Sequence, residues 1–339
     1  GRMPAATVPR HRRPLLTSLA PLAFLFACEE PLSDRSVPAI QAKSAFEGSA
    51  WTEPVRLDPP VNSACQDQTP TLSKDELSLY FTSTRRGGLG VDTPDGCQDS
   101  FDLWVARRTS KDSPWESAVN LGSPVNTSGS EAGPALSHDE RLLFFYRFVG
   151  TGQRDIYVTR RAANEEAWDA PASLGPDVNT STSEAGPTFV RHEGDDDGTL
   201  YFYRGEPATA TDLYAVRVTK YGETLGPAVA QPVLNSTVED NHASVRRDGR
   251  EIFFNSRRAG GILNPGGTPS FDLWVANRDN VHDAWSAPVN LDTPVNSNGP
   301  EFHPNISFDG RTLVFIAGAV RGGLGGFDIW MTTRTESGN

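Results

Sequence analysis

Five acidic residues stand at the head of five similar short segments: Asp67 in "DQTPTLS", Glu131 in "EAGPALS", Glu184 in "EAGPTFV", Asp240 in "DNHASVR" and Glu301 in "EFHPNIS". Carboxylates brought together repel, so such a group needs a cation, a basic partner, hydrogen-bond donors or raised pKa values. Two carboxyls about 5–5.5 Å or about 6.5–9.5 Å apart are also the equipment of retaining or inverting glycoside hydrolysis. Two of the segments add an imidazole two residues further on, His242 after Asp240 and His303 after Glu301. On a strand, residues two apart share a face, and mixed oxygen and nitrogen ligation suits several divalent metals. Asp240, His242, Glu301 and His303 are therefore the candidate set for a divalent metal ion. Asp67, Glu131, Glu184, Asp240 and Glu301 together are the candidate binding ring. A structural reading competes with both: each acid accepts hydrogen bonds from neighbouring backbone and seals the fold.

Other reactive groups point away from catalysis. There is no G-x-S-x-G motif and no phosphate-binding glycine loop followed by lysine. Arg85, Arg86, Arg257, Arg258 and Arg321 lie beside glycine-rich stretches, where salt bridges to the many acids compete with capture of an anionic ligand. Asp195, Asp196, Asp197 and Gly198 lack a full calcium-loop signature and read as a solvated turn.

The elements that position these groups come from a repeat. "SFDLWVARRTSKDSPWESAVNLGSPVN" at 100–126 returns as "SFDLWVANRDNVHDAWSAPVNLDTPVN" at 270–296. Five registers align on Asn62, Asn126, Asn179, Asn235 and Asn296, and eleven residues before them stand Trp51, Trp115, Trp168, Thr224 and Trp285. A period of 53 to 64 residues belongs to a repeat architecture. Each unit runs from the acid and its short strand through an Asp- or Gly-bearing turn to an aromatic strand ("LYF", "LFF", "LYF", "IFF", "LVF"). A third strand built on an Asp follows (Asp102, Asp155, Asp212, Asp272, Asp328), and the Trp-to-Asn segment makes the fourth.

Short β-rich runs with no helical period mean an all-β fold, and four strands per unit repeated radially make a propeller blade. Five blades over 51–339 are expected, closed by the N-terminal strand (51–62), which completes the last blade. Strands alternate in direction, so connections between second and third strands share one face with those entering the first strand. The long insertions 85–100 and 257–270 fall on that face, which is the candidate binding face. Cys65 and Cys97 fall there too and are expected to pair as a disulfide.

The pattern LSxDxxxLYFTSxRxGGxGxxDLWVAxR, seen at 71–107 and 305–334, resembles the WD40-like repeat of TolB-type propellers. The resemblance covers roughly 51–334, with the third unit lacking the turn serine and the Arg-Gly-Gly run. It implies a secreted binding or scaffolding propeller rather than one shared reaction.

The first residues fit an exported protein. Arg10, Arg12 and Arg13 precede a short apolar run that ends "LFACEE", the shape of a signal segment. Leu25-Phe26-Ala27-Cys28 resembles a bacterial lipobox, with 1–27 as lipoprotein signal peptide, Cys28 as the lipidated residue and 28–50 as tether. Removal of 1–27 leaves 27 basic against 43 acidic residues, a formal charge of −16. That balance argues against a nucleic-acid partner, which needs a basic stripe. The sequence thus predicts an outer-membrane lipoprotein on the periplasmic or cell-surface side, bound to the membrane by its lipid. It predicts a non-catalytic propeller with an envelope protein, polysaccharide or peptidoglycan as partner. The alternative is a carbohydrate-active enzyme of the glycoside hydrolase type using channel-mouth carboxylates.

Overall fold

A computed structural model describes residues 50–150, 152–164, 166–191, 196–206 and 210–335. The expected signal segment, Cys28, the tether up to residue 49 and Asp195 lie outside the described residues. The described chain forms five four-stranded antiparallel sheets.

The first strand, β1 (Val55–Arg56), belongs to the last sheet. The first blade holds β2 (Asp67–Leu72), β3 (Ser78–Arg85), β4 (Cys97–Arg107) and β5 (Val119–Asn120). The second holds β6 (Glu131–Leu136), β7 (Leu142–Val149), β8 (Gln153–Arg160) and β9 (Ala172–Ser173). The third holds β10 (Glu184–Arg191), β11 (Asp197–Glu206), β12 (Ala210–Thr219) and β13 (Val229–Ala230). The fourth holds β14 (Asp240–Val245), β15 (Glu251–Ser256), β16 (Asp272–Asn277) and β17 (Val289–Asn290). The fifth joins β18 (Glu301–Ile306), β19 (Thr312–Gly318) and β20 (Phe327–Thr333) to β1, with Val55 opposite Met331 and Arg56 opposite Trp330. The molecule is a five-bladed β-propeller closed by its N-terminal strand.

The second strand of each blade is covered on both faces by neighbouring blades, so it reads as a continuous apolar run rather than an alternating one. Leu79, Tyr80 and Phe81, Phe144 and Phe145, Phe253 and Phe254 are buried in this way. Apolar clusters join blades two to four, one and five, four and five, and one and two, which carries the core around the ring.

The repeated dipeptide and tryptophan have separate tasks. Val61, Val125, Val178, Leu234 and Val295 are fully enclosed. The asparagine after each imitates a strand. Asn126 Oδ1 accepts from Leu103 N at 2.9 Å while its Nδ2 donates to Leu103 O at 2.9 Å. Asn62 does the same with Ile329, Asn179 with Ile156, Asn235 with Leu213 and Asn296 with Leu273. Trp115, Trp168, Trp285 and Trp51 lie beneath Arg108, Arg161, Arg278 and Arg334 at 4.1–4.6 Å, close enough for cation–π attraction. Each of these guanidinium groups also donates to a carbonyl in the first tight turn of its own blade. In the third blade Thr224 replaces tryptophan and donates to Asp177 at 2.9 Å instead.

Candidate functional site

The five repeated acids begin the innermost strands β2, β6, β10, β14 and β18, and they are enclosed, with exposures of 0 or 1%. Each is held twice. A Ser or Thr four residues earlier donates through both its backbone N–H and its hydroxyl: Ser63 to Asp67, Thr127 to Glu131, Thr180 to Glu184, Ser236 to Asp240 and Ser297 to Glu301. An arginine from the end of the second strand, or just beyond it, then meets the carboxylate. Arg85 reaches Asp67 at 2.6 Å, Arg147 reaches Glu131 at 3.1 Å, and Arg204 reaches Glu184 at 2.8 Å. Arg258 reaches Asp240 at 2.5 Å and Arg321 reaches Glu301 at 2.8 Å. The same guanidinium groups donate to the carbonyl of the enclosed Val or Leu in the preceding connection, for example Arg147 to Val125 O at 2.8 Å and Arg204 to Val178 O at 2.7 Å.

Of the partners that such acids could need, the structure supplies two, hydrogen-bond donors and a basic side chain, in five closed clamps. The arginine locks the connection entering the blade onto the first strand. Burial raises the pKa of Glu131 and of Glu301, and the Thr127 or Ser297 hydrogen bonds and the paired arginine oppose it. The sequence signal for these partners was present in Arg85, Arg258 and Arg321, and the structure adds Arg147 and Arg204.

The proposed four-ligand metal set does not assemble. In every blade a β-bulge lies just past the acid, between Asn241 and Ser244 in β14 and between Phe302 and Asn305 in β18. A bulge breaks the alternation that puts residues two apart on one face. Asp240 and Glu301 turn to their clamps, while His242 and His303 line the narrow axial channel with Thr69, Gly133 and Gly186. Among the described residues no group of three or more His, Cys, Asp and Glu side chains is placed to hold a metal ion.

The five channel residues occupy one repeat position, and all have left-handed backbones, with φ from 47° at Thr69 to 67° at Gly133. Glycine takes this conformation freely and other residues do so at a cost. At Gly186 a Cβ would also come within 2.9 Å of both His242 and Tyr203. The two imidazoles lie with centroids 3.6 Å apart and planes tilted by 40°, and Tyr203 packs on His242 at 4.9 Å. Burial, and then the charge of Arg154, lowers His303 to about 3. Burial lowers His242 well below its usual value, helped by His303 and Arg154. At this waist the two imidazoles meet each other, while the carboxylates of Asp240 and Glu301 are held in their clamps.

Arg154 was missed by sequence reasoning. It stands just before the repeated Asp155, where three of the other blades carry Phe101, Phe271 and Phe327, and that departure was the available signal. Its charge also works to lower the pKa of Tyr146 and Tyr203, but burial outweighs it and both phenols are pushed up, Tyr146 with help from Tyr203. A group of tight-turn residues on the opposite face, Lys74, His138, Arg247 and Phe308, was likewise missed.

The candidate binding face carries the long connections. Cys65 and Cys97 are joined as a disulfide, which ties the connection entering the first blade to the insertion between β3 and β4. Short bridges, Asp92 with Gln98 and Leu263 with Pro269, make the two insertions into folded excursions. The repeated aspartates cap them: Asp102 accepts from Leu89 N at 2.6 Å and Asn120 at 2.9 Å, and Asp272 accepts from Ile262 N and Asn290. Apolar side chains nevertheless stay in solvent on these excursions. Val91 is 69% exposed and Leu263 is 53% exposed, and Leu89, Val320 and Leu324 are exposed on the same face.

No protein-family model matches the sequence, and no curated protein matches it. Solved structures do resemble the fold. An α-L-arabinofuranosidase from Lactobacillus brevis superposes with a TM-score of 0.54 at 12% identity, over 82% of this chain and 92% of that one. The catalytic domain of the GH62 α-L-arabinofuranosidase of Coprinopsis cinerea gives 0.50 at 9% identity, over 85% and 96%. TolB from Acinetobacter baumannii is also among the neighbours, with a TM-score of 0.44 at 11% identity, over 81% of this chain and 56% of that one. At these identities the likeness is one of fold alone, and it is carried by the two arabinofuranosidases.

Proposed function

We propose that this chain is a non-catalytic binding propeller of the bacterial cell envelope, anchored by lipid on Cys28, that engages an envelope protein through the face bearing the 85–100 and 257–270 loops. The observation that carries the reading is the exposure of Val91, Leu263, Leu89, Val320 and Leu324 on the structured connections of that face. Exposed apolar groups gathered on one face mark interaction surfaces, and loops fixed by a rigid scaffold are the usual carriers of binding.

The competing reading is a carbohydrate-active enzyme, favoured by the fold shared with the two arabinofuranosidases. Fold alone does not assign an activity. The acids that such a mechanism would draw on here are the clamped carboxylates, each enclosed and joined to an arginine. A polysaccharide or peptidoglycan ligand held without cleavage stands between the two.

The test compares the full chain with its Val91→Glu/Leu263→Glu variant as bait for a bacterial envelope fraction, with bound proteins identified by mass spectrometry. The reading expects a partner that is retained by the unaltered chain and lost by the variant. Identical partners for both, or release of sugar from arabinan or peptidoglycan by the unaltered chain, would reject it.

A further inference from the structure

The axial channel opens a second time on the face opposite the long loops, into a cavity of about 500 Å³. The tight turns between first and second strands of blades one, two, four and five line it. In these turns the middle residue of a three-residue run is Lys74, His138, Arg247 or Phe308, followed by Asp75, Asp139, Asp248 or Asp309. The aspartates fold back on their own turns. Ser73 donates to Asp75 at 2.7 Å, Ser137 to Asp139 at 2.6 Å, Ser307 to Asp309 at 2.7 Å, and Arg246 to Asp248 at 2.6 Å. The middle residues all line the cavity.

The other three side chains converge on the Phe308 ring. His138 lies 4.3 Å from it between centroids, Arg247 Cζ is 4.5 Å from its centroid and Lys74 Nζ is 5.3 Å away. Burial, followed by the charges of Lys74 and Arg247, lowers the pKa of His138. Two carboxylates also line the opening, and both are engaged: Asp248 with Arg246, and Asp196 with Lys220 at 2.9 Å. Arg191 lies 3.8 Å from Asp139 and from Asp196. Below the rim the wall mixes aliphatic side chains, Leu72, Leu136, Val190 and Ile306, with polar ones, Thr71, Thr188, Ser244 and Asn305.

A chain with a formal charge of −12 thus gathers Lys74, Arg191 and Arg247 near an aromatic ring at one end of its axis, alongside the two engaged aspartates. Such an opening concentrates anions locally against the overall field. Cationic groups that flank an aromatic ring near aliphatic side chains suit a ligand with a charged end and a ring-shaped body.

We propose that the turn-face cavity is a binding site for a small carboxylate carried on a six-membered ring. Lys74 and Arg247 hold the carboxylate, and Phe308, His138 and the aliphatic side chains of the wall receive the ring. A sugar acid and an aromatic acid share this chemistry, and the measurement separates them.

The experiment is calorimetric titration of the full chain with glucuronate, with benzoate, and with inorganic phosphate as a charge without a ring. Binding of glucuronate alone identifies a sugar acid, and binding of benzoate identifies an aromatic one. Either supports the site if affinity falls at least about tenfold in Lys74→Gln/Arg247→Gln and falls with added salt. Val91→Glu/Leu263→Glu, on the other face, is expected to bind the same probe unchanged, so the result stands apart from the protein-partner reading. Both substituted pairs lie on the surface, and an unchanged unfolding midpoint verifies that they fold. The proposal is overturned if neither ring acid binds, if phosphate binds as well as they do, or if the double variant binds as well as the unaltered chain.

Discussion

Two positions on the same inner strand, two residues apart, behave in opposite ways. The first is always an acid, always enclosed and always joined to an arginine, from Asp67 with Arg85 to Glu301 with Arg321. The second changes from Thr69 to Gly133, Gly186, His242 and His303, and lines the channel. Regular recurrence of a chemically striking residue therefore marks the part that holds the ring together. Departures from the repeat mark the places where individual character is available. The same contrast separates the tight turns, where the aspartate repeats and its predecessor varies, from the cavity they enclose.

The comparison breaks most sharply at the clamps. Arg85→Ala or Arg258→Ala leaves an enclosed carboxylate without its cation, and loss of one partner of a buried pair costs about 3–5 kcal/mol. Urea unfolding is expected to show a midpoint lowered by that amount, and an unchanged midpoint would mean the arginines do not support the fold. The disulfide comes next. Cys65 and Cys97 are 32 residues apart in sequence, and their replacement by serine is expected to lower stability by about 2–4 kcal/mol, read by the same unfolding curve.

The variable position responds to pH instead. The folded protein holds His303 at about 3 and His242 well below its usual value, whereas an unfolded histidine titrates near about 6.5. As pH falls below about 6.5 the unfolded chain takes up protons first, so stability is lost progressively down to about pH 3. The slope is up to about 1.4 kcal/mol per pH unit for each histidine. The difference in unfolding free energy between the unaltered chain and His303→Gln, followed from pH 7 to pH 4, isolates this from the titration of acids. A constant difference would refute the lowered pKa. The smallest effect on stability belongs to the exposed loop residues: Val91→Glu and Leu263→Glu are expected to stay within about 0.5 kcal/mol while abolishing partner binding.

Most of the architecture was legible because the repeat is explicit. The Asn and Trp registers gave the number of blades, and the Trp51 segment gave the strand that closes the last one. The recurrence of the acids at the head of each first strand was legible and their surroundings were not, because charge type is written in the sequence while the partner of a charge is set by a strand that returns from elsewhere. Arg147 and Arg204 sit 16 and 20 residues beyond their acids, in segments that read as aromatic strands. The metal set failed for a more local reason. It rested on alternation along a strand, and Ala-Gly-Pro, Asn-His-Ala and Phe-His-Pro in equivalent places are bulges, where alternation stops. The glycines of Gly133 and Gly186 were the available sign that His242 and His303 share a left-handed backbone.

The most direct measurement is equilibrium urea unfolding of Asp240→Asn and His242→Gly side by side. The clamp account predicts that Asp240→Asn loses about 3–5 kcal/mol, because Arg258 is left without its carboxylate. It predicts that His242→Gly changes stability by no more than about 1 kcal/mol, since relief of a left-handed backbone offsets the lost packing. Equal stability for Asp240→Asn and the unaltered chain would contradict it and return the repeated acids to the role of a binding or reaction centre.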